Sequence, residues 1–195
     1  MTRPTTRAAG TAATLLVLAL VAGGCQDDAE PSADPTPSAS TSVAPPAKTA
    51  VTYGRVTGKL PTADRKRLAA KVGAVVDGWM DAAYVGGDYP RRGFSDAWPG
   101  FTPGARDEAR HDRALMSNAD IGRRVDTVDA TRRRVRIDAL AVRKRPVGVT
   151  AHVLLDFATT GKVKRRFQVQ GRLYLTHRDG GWRVFGYDVT KGGAR

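Results

Sequence analysis

The sequence contains few of the residues that most often carry chemistry. Its 195 residues include one cysteine and three histidines, and aromatic residues make up only 7%. A single cysteine excludes a disulfide-stabilised miniprotein and a cysteine-rich zinc module. The longest largely apolar run, Ala12 to Ala22, is about half the ~20 residues that a membrane-spanning helix needs. The sequence is therefore not that of a multi-spanning membrane protein.

Sequence motifs for the common catalytic and nucleotide-binding sites are also absent. There is no G-x-S-x-G, no H-E-x-x-H, no P-loop and no dinucleotide-binding glycine fingerprint. The histidines stand far apart, at positions 111, 152 and 177. We therefore predict no metal and no cofactor, and an enzyme is the less favoured class.

Acidic residues are scarce relative to basic ones. The chain has 19 Asp and Glu against 32 Lys and Arg, a formal net charge of +13. Three basic runs form a candidate basic patch: Arg132, Arg133, Arg134 and Arg136, then Arg143, Lys144 and Arg145, then Lys164, Arg165 and Arg166. These runs indicate either a solvated face or a surface that binds an anionic partner.

The first 25 residues have the layout of a secretory signal peptide. Arg3 and Arg7 precede the apolar run, and small residues follow it, ending in V-A-G-G-C at Cys25. This ending resembles the lipobox of bacterial lipoproteins. The resemblance implies cleavage after Gly24 and a diacylglyceryl group and palmitate on Cys25, the only cysteine of the chain. We therefore expect a lipid-anchored protein on the extracytoplasmic face of the cell membrane.

Composition divides the chain into three parts. Residues 1–24 form the expected signal peptide, and residues 25–50 are the lipidated cysteine and a linker rich in Pro, Ser, Thr and Ala. This linker has no aromatic residue and too little apolar surface to fold. Residues 51–195 are long enough for one domain with a sizeable core.

Patterning in residues 51–195 changes once, from helical to strand periodicity, which predicts an α+β fold. A long helix is expected over Ala63 to Tyr84, then a turn of helix over Phe94 to Trp98, then a helix over Pro103 to Met116. Four β-rich segments follow, separated by short turns that imply antiparallel neighbours: 134–142, 149–159, 166–176 and 182–189.

This element order resembles the nuclear-transport-factor-2-like superfamily, in which helices cover a curved antiparallel sheet rolled into a cone. The closing segment G-G-W-R-V-F-G-Y-D-V, residues 180–189, is similar to the last strand of small actinobacterial envelope proteins of this kind, including some associated with mammalian-cell-entry transport systems. The resemblance implies a pocket between helix and sheet. Isomerases, dehydratases, cyclases and non-catalytic binding domains all use this fold, so it does not select a function.

A catalytic function would need an acid directed into such a pocket, and Asp156, His152 and Asp77 are the candidates. Because Val153, Leu155 and Phe157 make the more continuous apolar face, we expect His152 and Asp156 to face solvent or to pair with arginines. Candidate pocket residues are aromatic, and they could instead fill one end of the core: Trp79, Tyr84, Tyr89, Phe94 and Trp98.

The favoured function is that of a non-catalytic binding or accessory domain of the cell envelope. Its expected partners are the membrane, reached through Cys25, and an anionic envelope polymer, an acidic protein or a small apolar ligand. An enzyme of the isomerase, dehydratase or cyclase type is one alternative, and electrostatic adhesion to anionic wall polymers or lipids is the other. Nucleic acid is not expected, because a secreted, lipid-anchored domain rarely meets it.

Overall fold

The structure, a computed structural model, describes residues 47–194. The fold is α+β, which confirms the predicted class. Its elements are β1 (Ala50–Thr57), α1 (Thr62–Met80), a π-helical turn (Asp81–Val85), α2 (Pro103–His111), α3 (Arg113–Met116), a 3-10 turn (Gly122–Arg124), β2 (Val125–Val142), β3 (Arg145–Gly161), β4 (Arg166–Arg178) and β5 (Gly181–Gly193). The predicted signal peptide, its expected cleavage and lipidation sites at Gly24 and Cys25, and most of the predicted linker lie outside the described residues.

The five strands form one sheet in the order β1-β2-β3-β4-β5. Strands β2 to β5 are antiparallel neighbours, but β1 pairs in parallel with β2, from Ala50 opposite Arg134 to Thr57 opposite Leu140. The sheet is therefore mixed, and the prediction of a purely antiparallel sheet was wrong. Strand β1 was missed because none of its residues is fully buried and its alternation of half-buried and exposed residues shifts by one between Tyr53 and Val56. It also begins one residue inside the predicted linker.

Alternation along the long strands gives the sheet an inner and an outer face. In β4, Phe167, Val169 and Leu173 are buried on the inner face, while the residues between them face outward. The buried stripe of α1, which includes Val72, Val76 and Trp79, belongs to the same core. The helices cover the inner face, and the outer face is exposed to solvent.

The described residues, 47–194, belong to one compact unit that begins after residue 42. The buried core found in the described residues is drawn entirely from Leu60 to Val189. Because this unit contains a core of its own, we expect it to fold without residues 1–42. Within residues 47–194, no helix is both long and apolar enough to cross a bilayer.

The segment between α1 and β2 is less helical than predicted. Phe94 to Trp98 forms turns, with the Ala97 N–H donating to the Phe94 carbonyl at 3.3 Å, instead of a turn of helix. The helix predicted from Pro103 to Met116 begins at Pro103, where Thr102 caps it, but it is interrupted at Asp112. The interruption yields α2 and the one-turn α3, whose last residue precedes the extended Ser117.

Two tight hairpins share one backbone conformation but differ in sequence. Asp179 and Gly180 connect β4 to β5, both with positive φ, and acidic residue plus glycine is a favoured pair for such a turn. Arg143 and Lys144 connect β2 to β3 with φ of 48° and 64°. A left-handed conformation costs about 1–2 kcal/mol for a residue with a Cβ atom. The β2–β3 turn is thus built from unfavourable residues.

Replacing this turn with the favoured pair should stabilise the domain. We predict that Arg143→Asn with Lys144→Gly raises the free energy of unfolding of residues 43–195 by about 1–2 kcal/mol, measured by urea denaturation. The reciprocal change, Asp179→Arg with Gly180→Lys, is the matched control and should lower it by a similar amount. An unchanged or lower stability for the first variant would contradict the turn argument.

Candidate functional site

The aromatic residues predicted to line a pocket lie mainly in the core. Trp79 and Tyr84 are fully buried, and their rings meet edge to face with centroids 5.4 Å apart. The indole N–H groups of Trp79 and Trp98 both donate to the Met116 carbonyl, at 3.4 and 3.1 Å. Phe94 is also buried. The polar atoms of both tryptophans are therefore satisfied inside the protein.

A hydrogen-bond network continues from these rings to the segment after α3. The Tyr84 hydroxyl donates to the Leu115 carbonyl at 2.7 Å, and the Tyr89 hydroxyl donates to the Tyr84 carbonyl at 2.6 Å. The Asn118 amide, fully buried, donates to the same Tyr84 carbonyl at 2.9 Å. Burial raises the pKa of Tyr84 well above its ordinary value, and the nearby Asp120 carboxylate adds to the shift. These groups join the end of α1 to the segment after α3.

The two candidate catalytic residues on β3 lie on the outer face, away from the helices. The Asp156 carboxylate accepts from the Arg132 Nε at 2.7 Å and from the Gln168 amide at 2.9 Å, and its side chain is only 12% exposed. His152 Nε2 lies 2.8 Å from an Asp138 oxygen. Burial alone would raise the pKa of Asp138, but the Arg55 backbone N–H and His152 outweigh it and hold that pKa below its ordinary value.

The helix candidate, Asp77, is held in an ion-pair cluster between α1 and β2. Arg133 is the exception in its run, because it faces inward from β2, where it binds the Asp81 carboxylate and lies 3.9 Å from that of Asp77. Asp77 also accepts a hydrogen bond from the Thr49 hydroxyl. Neither helix carboxylate lies in an apolar pocket, and both are partly exposed. The cluster fixes the start of β1 and the end of α1 to the sheet.

The predicted basic patch is divided among several places in the fold. Arg132, Arg134 and Arg136 alternate with inward residues on β2 and face outward. Arg143, Lys144 and Arg145 form the β2–β3 turn and the start of β3. Lys164, Arg165 and Arg166 precede or begin β4, and the Arg165 guanidinium lies 4.4 Å from the Phe167 ring centroid. The three runs do not make one continuous patch.

A cleft of about 570 Å3 lies on the helix side of the molecule, and it is lined by two of the predicted pocket residues together with arginines that were not predicted there. Phe94 and Trp98 are its aromatic lining. Its walls carry four arginines, from the loop after α1, the end of α2, α3 and the 3-10 turn: Arg92, Arg110, Arg113 and Arg123. We call this feature the arginine cleft.

Close backbone packing sets the position of the Phe94 ring in the arginine cleft. A Cβ atom on Gly122 would lie 2.7 Å from the Arg91 carbonyl oxygen and 2.9 Å from the Phe94 ring, so only glycine fits there without movement. The Arg91 backbone N–H donates to the Gly122 carbonyl at 2.9 Å. The Arg91 side chain donates to the Ala82 carbonyl at 2.8 Å and stacks 4.3 Å from the Phe94 centroid. Arg91 therefore holds the loop in place, and its neighbour Arg92 faces the cleft.

The arginine cleft has an uncompensated positive charge. Among residues 47–194, no carboxylate lies within 4.0 Å of the guanidinium groups of Arg92, Arg113 or Arg123. Arg110 pairs only with Asp107, one turn earlier on the exposed side of α2. Guanidinium groups form paired hydrogen bonds with phosphate and carboxylate oxygens. The site is therefore suited to an anionic ligand.

A second cleft, of about 420 Å3, lies at the other end of α2. Its lining includes one acidic residue, Asp179, and three arginines that form no salt bridge with a carboxylate of the described residues: Arg106, Arg178 and Arg183. The Arg106 Nε atom is buried and has no hydrogen-bond partner among the described residues. Because α2 has nine residues and is about 14 Å long, the two clefts lie at the two ends of one short helix.

Comparison with known protein families, characterised proteins and solved structures finds no match to this chain. The function must therefore be inferred from the geometry. No group of three or more metal-ligating side chains suited to a metal ion occurs among residues 47–194.

Part of the arginine cleft had a signal in the sequence. Arg110 and Arg113 are three residues apart, which places them on one side of a helix. Arg92 and Arg123 gave no signal, because only the packing of two irregular segments brings them to the same cleft.

The buried hydrogen bond from the Tyr84 hydroxyl to the Leu115 carbonyl predicts that Tyr84 has a structural role and not a role in ligand binding. We predict that Tyr84→Phe lowers the free energy of unfolding by about 1–2 kcal/mol, because the Leu115 carbonyl loses its donor. Tyr174→Phe is the matched control, expected within about 0.5 kcal/mol, since that ring lies on the outer face. Equal stability of both variants in urea denaturation would contradict the structural role.

Proposed function

We propose that this protein is a membrane-anchored lipoprotein whose domain is a non-catalytic binding module of the cell envelope. The anchor is Cys25, exposed after cleavage at Gly24. The ligand is a phosphate-bearing anion, bound in the arginine cleft. The observation that carries the binding proposal is the group of arginines without carboxylate partners around Phe94 and Trp98.

Two observations favour binding over catalysis. The candidate acids are already engaged: Asp156 by Arg132 and Gln168, and Asp77 by Arg133 and Thr49, so neither is a free carboxylate in an apolar pocket. The aromatic residues Trp79 and Tyr84 are buried within the core. A helix layer over a five-stranded sheet is compatible with the cone of the nuclear-transport-factor-2-like proteins, and we infer a filled cone.

The chemistry of the arginine cleft favours a phosphate-bearing ligand. Guanidinium groups on separate elements can reach several oxygens of one or more phosphate groups at once, and a phosphate carries more charge and acceptors than a carboxylate. The second arginine-lined cleft, at the other end of α2, favours an extended ligand with more than one phosphate. Wall polymers and lipid headgroups both supply this chemistry.

The anchor is tested by changing its cysteine. We predict that Cys25→Ser in the full chain, expressed in an actinobacterial host, prevents lipid attachment and leaves an uncleaved precursor or a released domain. Membrane fractionation and mass spectrometry of the N-terminal peptide measure this outcome. Normal processing with unchanged membrane association would overturn the proposed anchor.

The arginine cleft is tested with inorganic polyphosphate as the probe. We predict that Arg92→Gln, Arg113→Gln and Arg123→Gln together weaken its binding to residues 43–195 on the order of tenfold or more in calorimetry, because three charge-assisted contacts are lost.

The matched control removes the same charge from the outer face: Arg134→Gln, Arg166→Gln and Arg172→Gln. This control should change polyphosphate affinity by less than about threefold, since only long-range attraction is lost. Equal losses for the two triple variants would show a general effect of net charge and overturn the cleft. Competition by inorganic phosphate and by phosphatidylglycerol vesicles separates a polymer ligand from a lipid headgroup.

A further inference from the structure

The exposed large apolar side chains of residues 47–194 are gathered at one end of the sheet's outer face. They are Leu140, Val142, Val147 and Phe185, with exposures of 47%, 50%, 43% and 55%. Leu140 and Phe185 line the same depression of about 320 Å3. Scattered apolar side chains on a surface need no explanation, but a cluster of them indicates a contact.

Three of these side chains belong to the tip of the β2–β3 hairpin. Leu140 lies opposite Gly148. Val142 and Arg145 lie opposite each other, Val142 immediately before the two-residue turn and Arg145 immediately after it. A Cβ atom on Gly148 would meet no atom within 4 Å, so the depression beside Leu140 is open to solvent. We call residues 140–147 together with Phe185 the apolar tip.

The apolar tip is surrounded by positive charge. Arg143, Lys144 and Arg145 lie within it, and Arg55 lines the depression. None of these four groups forms a salt bridge with a carboxylate in the described part of the chain. Asp138, the acidic residue in the lining, is already engaged by His152 and Arg136.

The backbone conformation of the tip indicates that the two basic residues of its turn serve a function. Arg143 and Lys144 occupy left-handed positions that the equivalent Asp179–Gly180 turn fills with favoured residues. Strained residues of this kind occur preferentially at functional sites. The strain and the apolar exposure fall within the same eight residues.

We propose that the apolar tip inserts into the interface of a membrane that contains anionic lipids. Valine and leucine side chains would enter the boundary between headgroups and acyl chains, and the adjacent cations would bind lipid phosphates. This contact is separate from both Cys25 and the arginine cleft. It depends on the proposed function only in requiring a membrane within reach of the domain.

Size and chemistry favour a membrane over the other partners. A specific protein interface uses about 20–30 residues on each side, whereas the tip offers four exposed apolar side chains and a few cations. A phosphate-bearing polymer in water would satisfy the cations but would leave the apolar side chains exposed. Only a lipid interface satisfies both groups at once.

The absence of cysteine from residues 43–195 allows a site-specific test. Val142→Cys in the tip and Ser95→Cys in the arginine cleft are each labelled with an environment-sensitive fluorophore. Vesicles of phosphatidylcholine and phosphatidylglycerol should shift the emission of the label at position 142 to shorter wavelength, whether or not a lipid headgroup bound in the arginine cleft also changes that at position 95. A shift at position 95 alone, or at neither position, would overturn the proposal. Absence of any vesicle binding would favour an acidic protein partner instead.

Variants in the tip separate the apolar contribution from the electrostatic one. Leu140→Ser with Val142→Ser should reduce vesicle partition at least tenfold, even in high salt. Arg143→Asn with Lys144→Gly should reduce it by about fivefold per charge in low salt. Arg134→Gln with Arg172→Gln, which removes equal charge elsewhere on the outer face, is the control and should stay within about twofold. Equal partition of the serine variant and the unmodified domain would overturn insertion.

The tip proposal and the proposed function can be refuted separately. Polyphosphate affinity depends on the arginine cleft, and membrane fractionation of the full chain depends on Cys25. Loss of vesicle binding with both of these intact would remove the tip proposal alone. Loss of polyphosphate binding would leave the tip results unchanged.

Discussion

The sheet has only one face covered by helices, and this constraint determines where the Asp156 carboxylate lies. Successive strand residues point to opposite faces, so each apolar residue of β2 to β5 that enters the core places its neighbours in water. One row of the outer face consists of Arg132, Asp156 and Gln168, joined by hydrogen bonds. The strand carboxylate that could have served catalysis is thereby held on the side away from the core. There it forms an ion pair with Arg132.

The helix layer is closed by aromatic side chains that donate hydrogen bonds to a short run of carbonyls. Trp79 and Trp98 share the Met116 carbonyl, and Tyr84 binds that of Leu115. The rings fill the space between α1 and α3, to which these two carbonyls belong. Guanidinium groups cannot enter such a core without partners, so the arginines of the same segments point into surface clefts. The arginine cleft is therefore a consequence of how the end of the core is filled.

The sequence was sufficient for the fold class, for the inward residues of β3 and β4 and for the outward position of Asp156, because each follows from local periodicity. It was insufficient where packing between residues distant in sequence determines the structure. Strand β1 has an irregular burial pattern and is held by parallel pairing to a strand more than 80 residues away. Arg92 and Arg123 meet in one cleft only after two irregular loops pack through Gly122. Arg133 has the inward parity of Val135 and Ile137, but its ion pairs with Asp77 and Asp81 form only after α1 packs on the sheet.

The two cationic surfaces differ in the chemistry that accompanies the charge. In the arginine cleft the aromatic lining is almost fully buried, so binding there rests on guanidinium contacts that salt weakens. At the apolar tip the cations lie next to exposed valine and leucine side chains. Salt does not oppose the transfer of these side chains out of water. A partner dissolved in water complements the first surface, and a partner with an apolar interior complements the second. The same excess of arginine therefore supports two distinct contacts, and the exposed apolar residues, not the charge, distinguish them.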